Sequence, residues 1–259
     1  MNGPPSALRP LAQPLRVPTP LARANRMLAQ PIAALFLLLG VAPGQLSLQS
    51  LTLTLVGLLR MADGTWSHVV LGAGLVYLGL LADRADLLIM ERKGRPSAWT
   101  AFLGLAVDRL VEVAVLVGLG VLTVLGVQGS PLPHLELLPP VWTLVVCAAA
   151  IGFLLATKAL EATGETLLLR AHLLTTRRLP GTATLSTRQP ARSALAIVAG
   201  RDETILLSCL SALTAQVDVG LLVILALQFL SFVEQLVLFR LRLRDAESEA
   251  GRILGPDFP

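Results

Sequence analysis

The residues of this chain that could do chemistry are ionisable groups set inside apolar stretches: Asp83, Asp86, Asp108, Arg109 and Glu112. Asp83 and Asp86 are three apart, which on a helix puts both carboxylates on one face. Asp108 lies in the next apolar stretch, beyond a turn at Gly94-Arg95-Pro96. At about 1.5 Å per residue, Asp83 and Asp86 lie about 16 and 12 Å before Gly94, and Asp108 about 21 Å after it. An antiparallel pair of helices therefore brings three carboxylates to similar depth. Charges so placed are costly and face a polar cavity, an ion or each other. Hard oxygen ligands with no His or Cys nearby favour Mg²⁺ or Mn²⁺, cations that commonly hold phosphates. A plainer arrangement is open on the same charges: Asp83 pairs with Arg84 and Arg92 near the interface, and Asp108 with Arg109. Glu112, one turn beyond Asp108, reads as a polar contact to a neighbouring helix.

The elements that hold these residues are set by composition. Of 259 residues, 54% are hydrophobic and 15% charged, against about 25% charged in an ordinary soluble domain. A chain this apolar calls for lipid as the solvent of most of its helices. Cys147 and Cys209 both lie in apolar runs, which disfavours a disulfide framework or a zinc cluster. His68, His134 and His172 show no metal-ligand spacing. A basic balance can signal nucleic acid, but the arginines cluster at the ends of apolar segments, so topology explains the charge and no nucleic-acid partner is expected.

The expected architecture is all-α, an integral membrane bundle of six transmembrane helices preceded by an N-terminal amphipathic helix over Asn25–Leu39. The spans read as Leu46–Met61, Trp66–Ile89, Ala98–Leu125, Val141–Leu160, Ala194–Ala215 and Val217–Phe239, near the ~20 residues a bilayer requires. Residues 1–24 read as a disordered basic tail, 25–244 as the membrane domain and 245–259 as a C-terminal tail. Basic residues mark one set of ends, including Arg23, Arg26, Arg92, Lys93, Arg177, Arg178, Arg240 and Arg242, while the opposite loops hold little beyond Arg60. The positive-inside rule puts both termini in the cytosol. The expected setting is a bacterial or archaeal plasma membrane.

Outside the acids, ordinary readings prevail. Cys147 and Cys209 are small buried apolar residues. Gly72-Ala-Gly74 and Gly118-Leu-Gly120 suit close helix packing rather than a phosphate loop. Lys158 and Arg201, near cytosolic helix ends, are candidates for an anionic head group, with snorkelling as the alternative.

The hairpin resembles the class I CDP-alcohol phosphatidyltransferase family, whose signature is D-x2-D-G-x2-A-R, a spacer of eight or nine residues, then G-x3-D-x3-D. The segment from Asp83 to Arg109 aligns with it without a gap: Asp83 matches the first acid, Asp86 the second and Asp108 the fourth, while Gly94, Ser97 and Trp99 fit the spacer. Asn25-Arg26 and Gly40-Val-Ala-Pro43-Gly-Gln45-Leu-Ser47 look like the family's first helix and elbow, and Arg201-Asp202-Glu203 resembles a segment of the branch that makes inositol-phosphate phospholipids. The resemblance covers roughly residues 22–240.

The resemblance implies a transferase of phospholipid biosynthesis that moves a phosphate-linked group from a CDP-linked donor to an alcohol or lipid acceptor, with CMP released. It implies Asp83, Asp86 and Asp108 as ligands of Mg²⁺ or Mn²⁺, Asp108 as the general base, Arg92 and Ser97 at the nucleotide, and a second copy of the chain as a partner. The signature is degenerate: Gly104 stands at the third acid, Leu87 at the first glycine, Met90-Glu91 at Ala-Arg and Thr100 at the later glycine. Two alternatives therefore stand beside the transferase: a non-catalytic family member that binds lipid or a partner, and a small transporter with the acids as an ion path.

Overall fold

The computed structural model describes residues 19–42, 44–93, 98–132, 137–178 and 201–254. These residues form seven helices and no strand: α1 (Pro20–Leu38), α2 (Gln45–Met61), α3 (Trp66–Lys93), α4 (Ala98–Leu125), α5 (Pro140–Arg178), α6 (Arg201–Leu213) and α7 (Val217–Leu254). The punctuation follows local chemistry. The Thr19 hydroxyl caps α1 by accepting from Ala22 N at 2.9 Å, and Pro20 fits the first turn, where no intrahelical N–H is needed. The turn between α2 and α3 uses Gly64 at φ 71°. Its backbone joins the chain after α4: Trp66 N donates to Gln128 O at 2.9 Å and Gln128 N to Gly64 O at 2.7 Å.

Helix α2 packs closely on α3. A Cβ on Gly57 would lie 2.6 Å from Gly72 O, so these two glycines let the backbones touch. Gly118 of α4 makes room for the Leu58 side chain of α2, and Gly120 lies against the Cys147 side chain, whereas a Cβ on Gly74 would meet nothing within 4 Å. Helices α2 and α6 each pack on both α3 and α4, so the arms of the α3–α4 hairpin are joined through two intervening helices. Val69, Val76 and Leu80 of α3, Val107, Val111 and Leu119 of α4, and Ile205 of α6 form the main core. Both cysteines are buried free thiols; Cys147 donates to Leu116 O at 3.1 Å and Cys209 to Ala73 O at 3.6 Å.

Helices α2, α3 and α4 match the sequence-based spans within a few residues. Helix α1 begins at Pro20, ahead of the expected Asn25, because the Thr19-Pro20 start is itself a helix signal. Helix α5 runs to Arg178, past the expected Leu160, since residues 161–178 contain no proline. Of the span expected over Ala194–Ala215, residues 194–200 lie outside the described residues, and α6 covers Arg201–Leu213. Among the described residues two helices are long and apolar enough to cross a membrane: Pro140–Thr163 within α5, mean hydropathy 2.0, and Val217–Leu241 within α7, mean hydropathy 2.2. Large apolar side chains also lie exposed on the others, among them Leu38, Leu59, Leu71, Phe102 and Leu110. An outer surface this apolar is what a lipid solvent selects.

Candidate functional site

The acids gather at the end of the bundle where α3 closes, α4 opens, and α2 and α6 begin. Arg201, the first residue of α6, enters between α3 and α4. Its Nη1 donates to Asp83 Oδ2 at 2.6 Å and also to Asp108 Oδ1. Both pairs are ionic, with the Arg201 side chain 7% exposed and that of Asp108 34% exposed. Asp108 is therefore the member of the trio that faces outward. Nε and Nη2 of Arg201 are buried and have no hydrogen-bond partner among the described residues.

The neighbouring residues repeat the pattern in reverse. Arg84 donates from Nε to Asp202 Oδ1 at 3.0 Å and also from Nη2. Thus Asp83-Arg84 on α3 and Arg201-Asp202 on α6 exchange charges crosswise, two ion pairs locking one helix to the other. Asp202 accepts a further bond from Asn25 Nδ2 at 3.1 Å, and Tyr77 Oη donates to Asn25 Oδ1 at 2.7 Å, which ties α1 into the lock. Asp202 also sits in the first turn of α6, where the helix dipole favours a negative charge.

Asp86, three residues from Asp83, serves a different purpose. Its carboxylate accepts from Gly44 N at 3.0 and 3.1 Å and from the Ser47 hydroxyl at 2.7 Å. It thereby satisfies the start of α2, whose N-cap residue Gly44 has φ 91° and no side chain to cap with. The alignment of Gly44 to Ser47 as an elbow thus acquires a structural role: it presents N–H and O–H groups to a buried acid.

The other sequence-stated residues are placed as follows. Arg109 pairs with Glu112 at 3.0 Å, so Glu112 contacts its own helix and Asp108 takes its cation from α6. Arg84 pairs with Asp202 rather than Asp83. Arg92 is exposed at the end of α3, and Ser97 lies outside the described residues. Lys158 pairs with Glu161 at 3.2 Å on α5. Glu91, which stands at the family's arginine position, forms an exposed pair with Arg26 at 2.5 Å.

This arrangement does not fit a divalent cation held by Asp83, Asp86 and Asp108. The described residues contain no group of three or more His, Cys, Asp or Glu side chains able to hold a metal ion. Two of the acids already share a guanidinium, and the third is spent on backbone and hydroxyl donors. The place of a further acid is Gly104, where a Cβ would meet nothing within 4 Å. Sequence reasoning named Arg201, but as a head-group contact. Its bridging role rests on contacts 118 and 93 residues apart in the chain.

The described residues form an all-α bundle. The chain is similar in fold to the crystal structure of Mycobacterium tuberculosis phosphatidylinositol phosphate synthase with CDP-DAG bound, at a TM-score of 0.57 and 16% sequence identity, covering 82% of this chain and 94% of that one. At this identity the likeness is one of fold. No protein-family model matches the chain, and no curated protein matches it.

Proposed function

We propose that this protein is a multi-pass membrane protein of CDP-alcohol phosphatidyltransferase type, with six spans and both termini cytosolic. It takes a CDP-linked donor and passes the phosphate-linked group to an alcohol or lipid acceptor, releasing CMP. The observation that carries the reading is the convergence of Asp83 and Asp108, spaced as in the transferase signature, at one end of a bundle whose fold is shared with a CDP-DAG-binding synthase.

The roles follow from exposure and charge. Asp108, the most open carboxylate of the trio, is the general base: one Oδ accepts from Arg201 while its exposed side is free to take the acceptor hydroxyl's proton. Arg201 pairs with that carboxylate and ties it to Asp83 on α3. Asp83 orients Arg201 from the opposite side. The alcohol oxygen forms a bond to phosphorus as the bond from phosphorus to the CMP oxygen breaks, and the hydroxyl proton leaves on Asp108.

A second reading has an observation of its own. The guanidinium between Asp83 and Asp108, together with Gly104 at an acid position, favours a non-catalytic protein that binds CDP-lipid without turning it over. The two readings part on a direct assay: purified protein, radiolabelled CDP-diacylglycerol, a panel of alcohol acceptors, and CMP release as the readout. Acceptor-dependent CMP release supports transfer. Saturable donor binding without CMP release supports the binding role.

A further inference from the structure

We infer that Arg201 is a built-in competitor of a divalent cation, occupying with its guanidinium the place between Asp83 and Asp108 that a metal ion would take. The inference rests on the proposed reading of these two acids as the working pair, and it goes beyond it by identifying what fills the centre. Four observations carry it. One nitrogen, Nη1, reaches both carboxylates at once, as a bridging cation would. The Arg201 side chain is 7% exposed, so the charge is placed in the centre rather than lying across it. Among the described residues Nε and Nη2 have no hydrogen-bond partner, so there the guanidinium is held through these two acids. Its neighbour Asp202 is anchored by Arg84 and Asn25, which fixes the start of α6 and keeps Arg201 inserted.

The electrostatics give the direction. A positive charge a few ångströms from two carboxylates repels a second cation strongly at the effective dielectric of a protein. One guanidinium leaves one negative charge uncompensated on the pair, so metal binding is weakened rather than forbidden. Replacing Arg201 with a neutral residue of similar length restores two unneutralised carboxylates facing each other, an incomplete but real oxygen site for Mn²⁺. Removing the competitor therefore raises affinity for the cation, where loss of an ordinary structural residue would not.

The experiment is a Mn²⁺ titration of the purified full chain in detergent micelles, without nucleotide, read by electron paramagnetic resonance of the free ion and by thermal unfolding. Wild type shows no saturable site tighter than about 1 mM, and its Tm does not respond to Mn²⁺. Arg201→Gln gains one site at least ~10-fold tighter than wild type, its Tm rises with Mn²⁺, and Asp83→Asn in that background abolishes both. Arg201→Lys, with a single compact charge, stays close to wild type. Wild-type binding tighter than about 1 mM that is lost in Asp83→Asn overturns the inference, as does a folded Arg201→Gln protein with no gain. Should Arg201→Gln not fold, Arg201→Met takes its place and is read the same way: an Asp83-dependent gain in Mn²⁺ binding upholds the competition, and no gain overturns it. Because no nucleotide is present, this result stands apart from success or failure of donor binding.

Discussion

Asp202→Ala tests the crossed lock between α3 and α6 most sharply. The Asp202 side chain is 2% exposed and accepts from Arg84 and Asn25. Removing one partner of a buried pair costs about 3–5 kcal/mol, because the other charge is left unpaired. Arg84 is 23% exposed and recovers some hydration, which favours the lower end of that range. The buried Asn25 amide loses its acceptor as well, adding about 1 kcal/mol. The expected loss is therefore roughly 3–4 kcal/mol. Arg84→Met in the same chain removes the orphaned cation and should recover about half of it. The assay is unfolding in mixed micelles followed by far-UV circular dichroism, run as a double-mutant cycle over Asp202 and Arg84. A loss below about 1 kcal/mol, or simple additivity of the two changes, would refute the lock, since contact alone predicts coupling.

Three further outcomes follow from the same geometry. Asp86→Ala should lower stability by about 2 kcal/mol in the same unfolding assay, by leaving Gly44 N–H and the Ser47 hydroxyl without their acceptor; the loss should be the same with and without Mn²⁺, since the acid acts as a cap. Gly57→Ala should destabilise by about 1–3 kcal/mol through its clash with Gly72 O, whereas Gly104→Ala, facing open space, should be neutral or stabilising by up to about 1 kcal/mol. Gly104→Asp should strengthen Mn²⁺ binding measured by calorimetry when combined with Arg201→Gln, by adding a third carboxylate to a centre cleared of its guanidinium; no gain in the folded double variant would separate Gly104 from that centre.

The helices were legible where sequence punctuation is strong. Gly40 and Gly44 precede α2, Asp63-Gly64-Thr65 separates α2 from α3, and the apolar run of α4 ends at Gly126, so these bounds could be read from local chemistry. The depth argument also placed Asp83 and Asp108 together, because helical rise is fixed. What local reasoning missed was which cation each acid takes. Adjacent residues on a helix do not face each other, so Asp83 and Arg84 needed partners elsewhere, and the reversed dipeptide Arg201-Asp202 was the available complement. That signal was present, two opposed charge pairs in apolar helices, but only tertiary packing brings α6 against α3. The partners of Asp86 escape sequence reasoning for a related reason: they are a backbone N–H and a hydroxyl across a turn, which residue type alone does not reveal.

The most direct test of the proposed function is CMP release from radiolabelled CDP-diacylglycerol by wild type and Asp108→Asn, each shown to be folded and to bind the donor. Asp108→Asn keeps the side chain's shape while removing the base. The transferase account predicts acceptor-dependent CMP release by wild type and a fall of at least ~100-fold in Asp108→Asn, with donor binding retained in both. Equal CMP release by the two proteins would contradict the role of Asp108, and a wild type that neither binds the donor nor releases CMP would contradict the account itself.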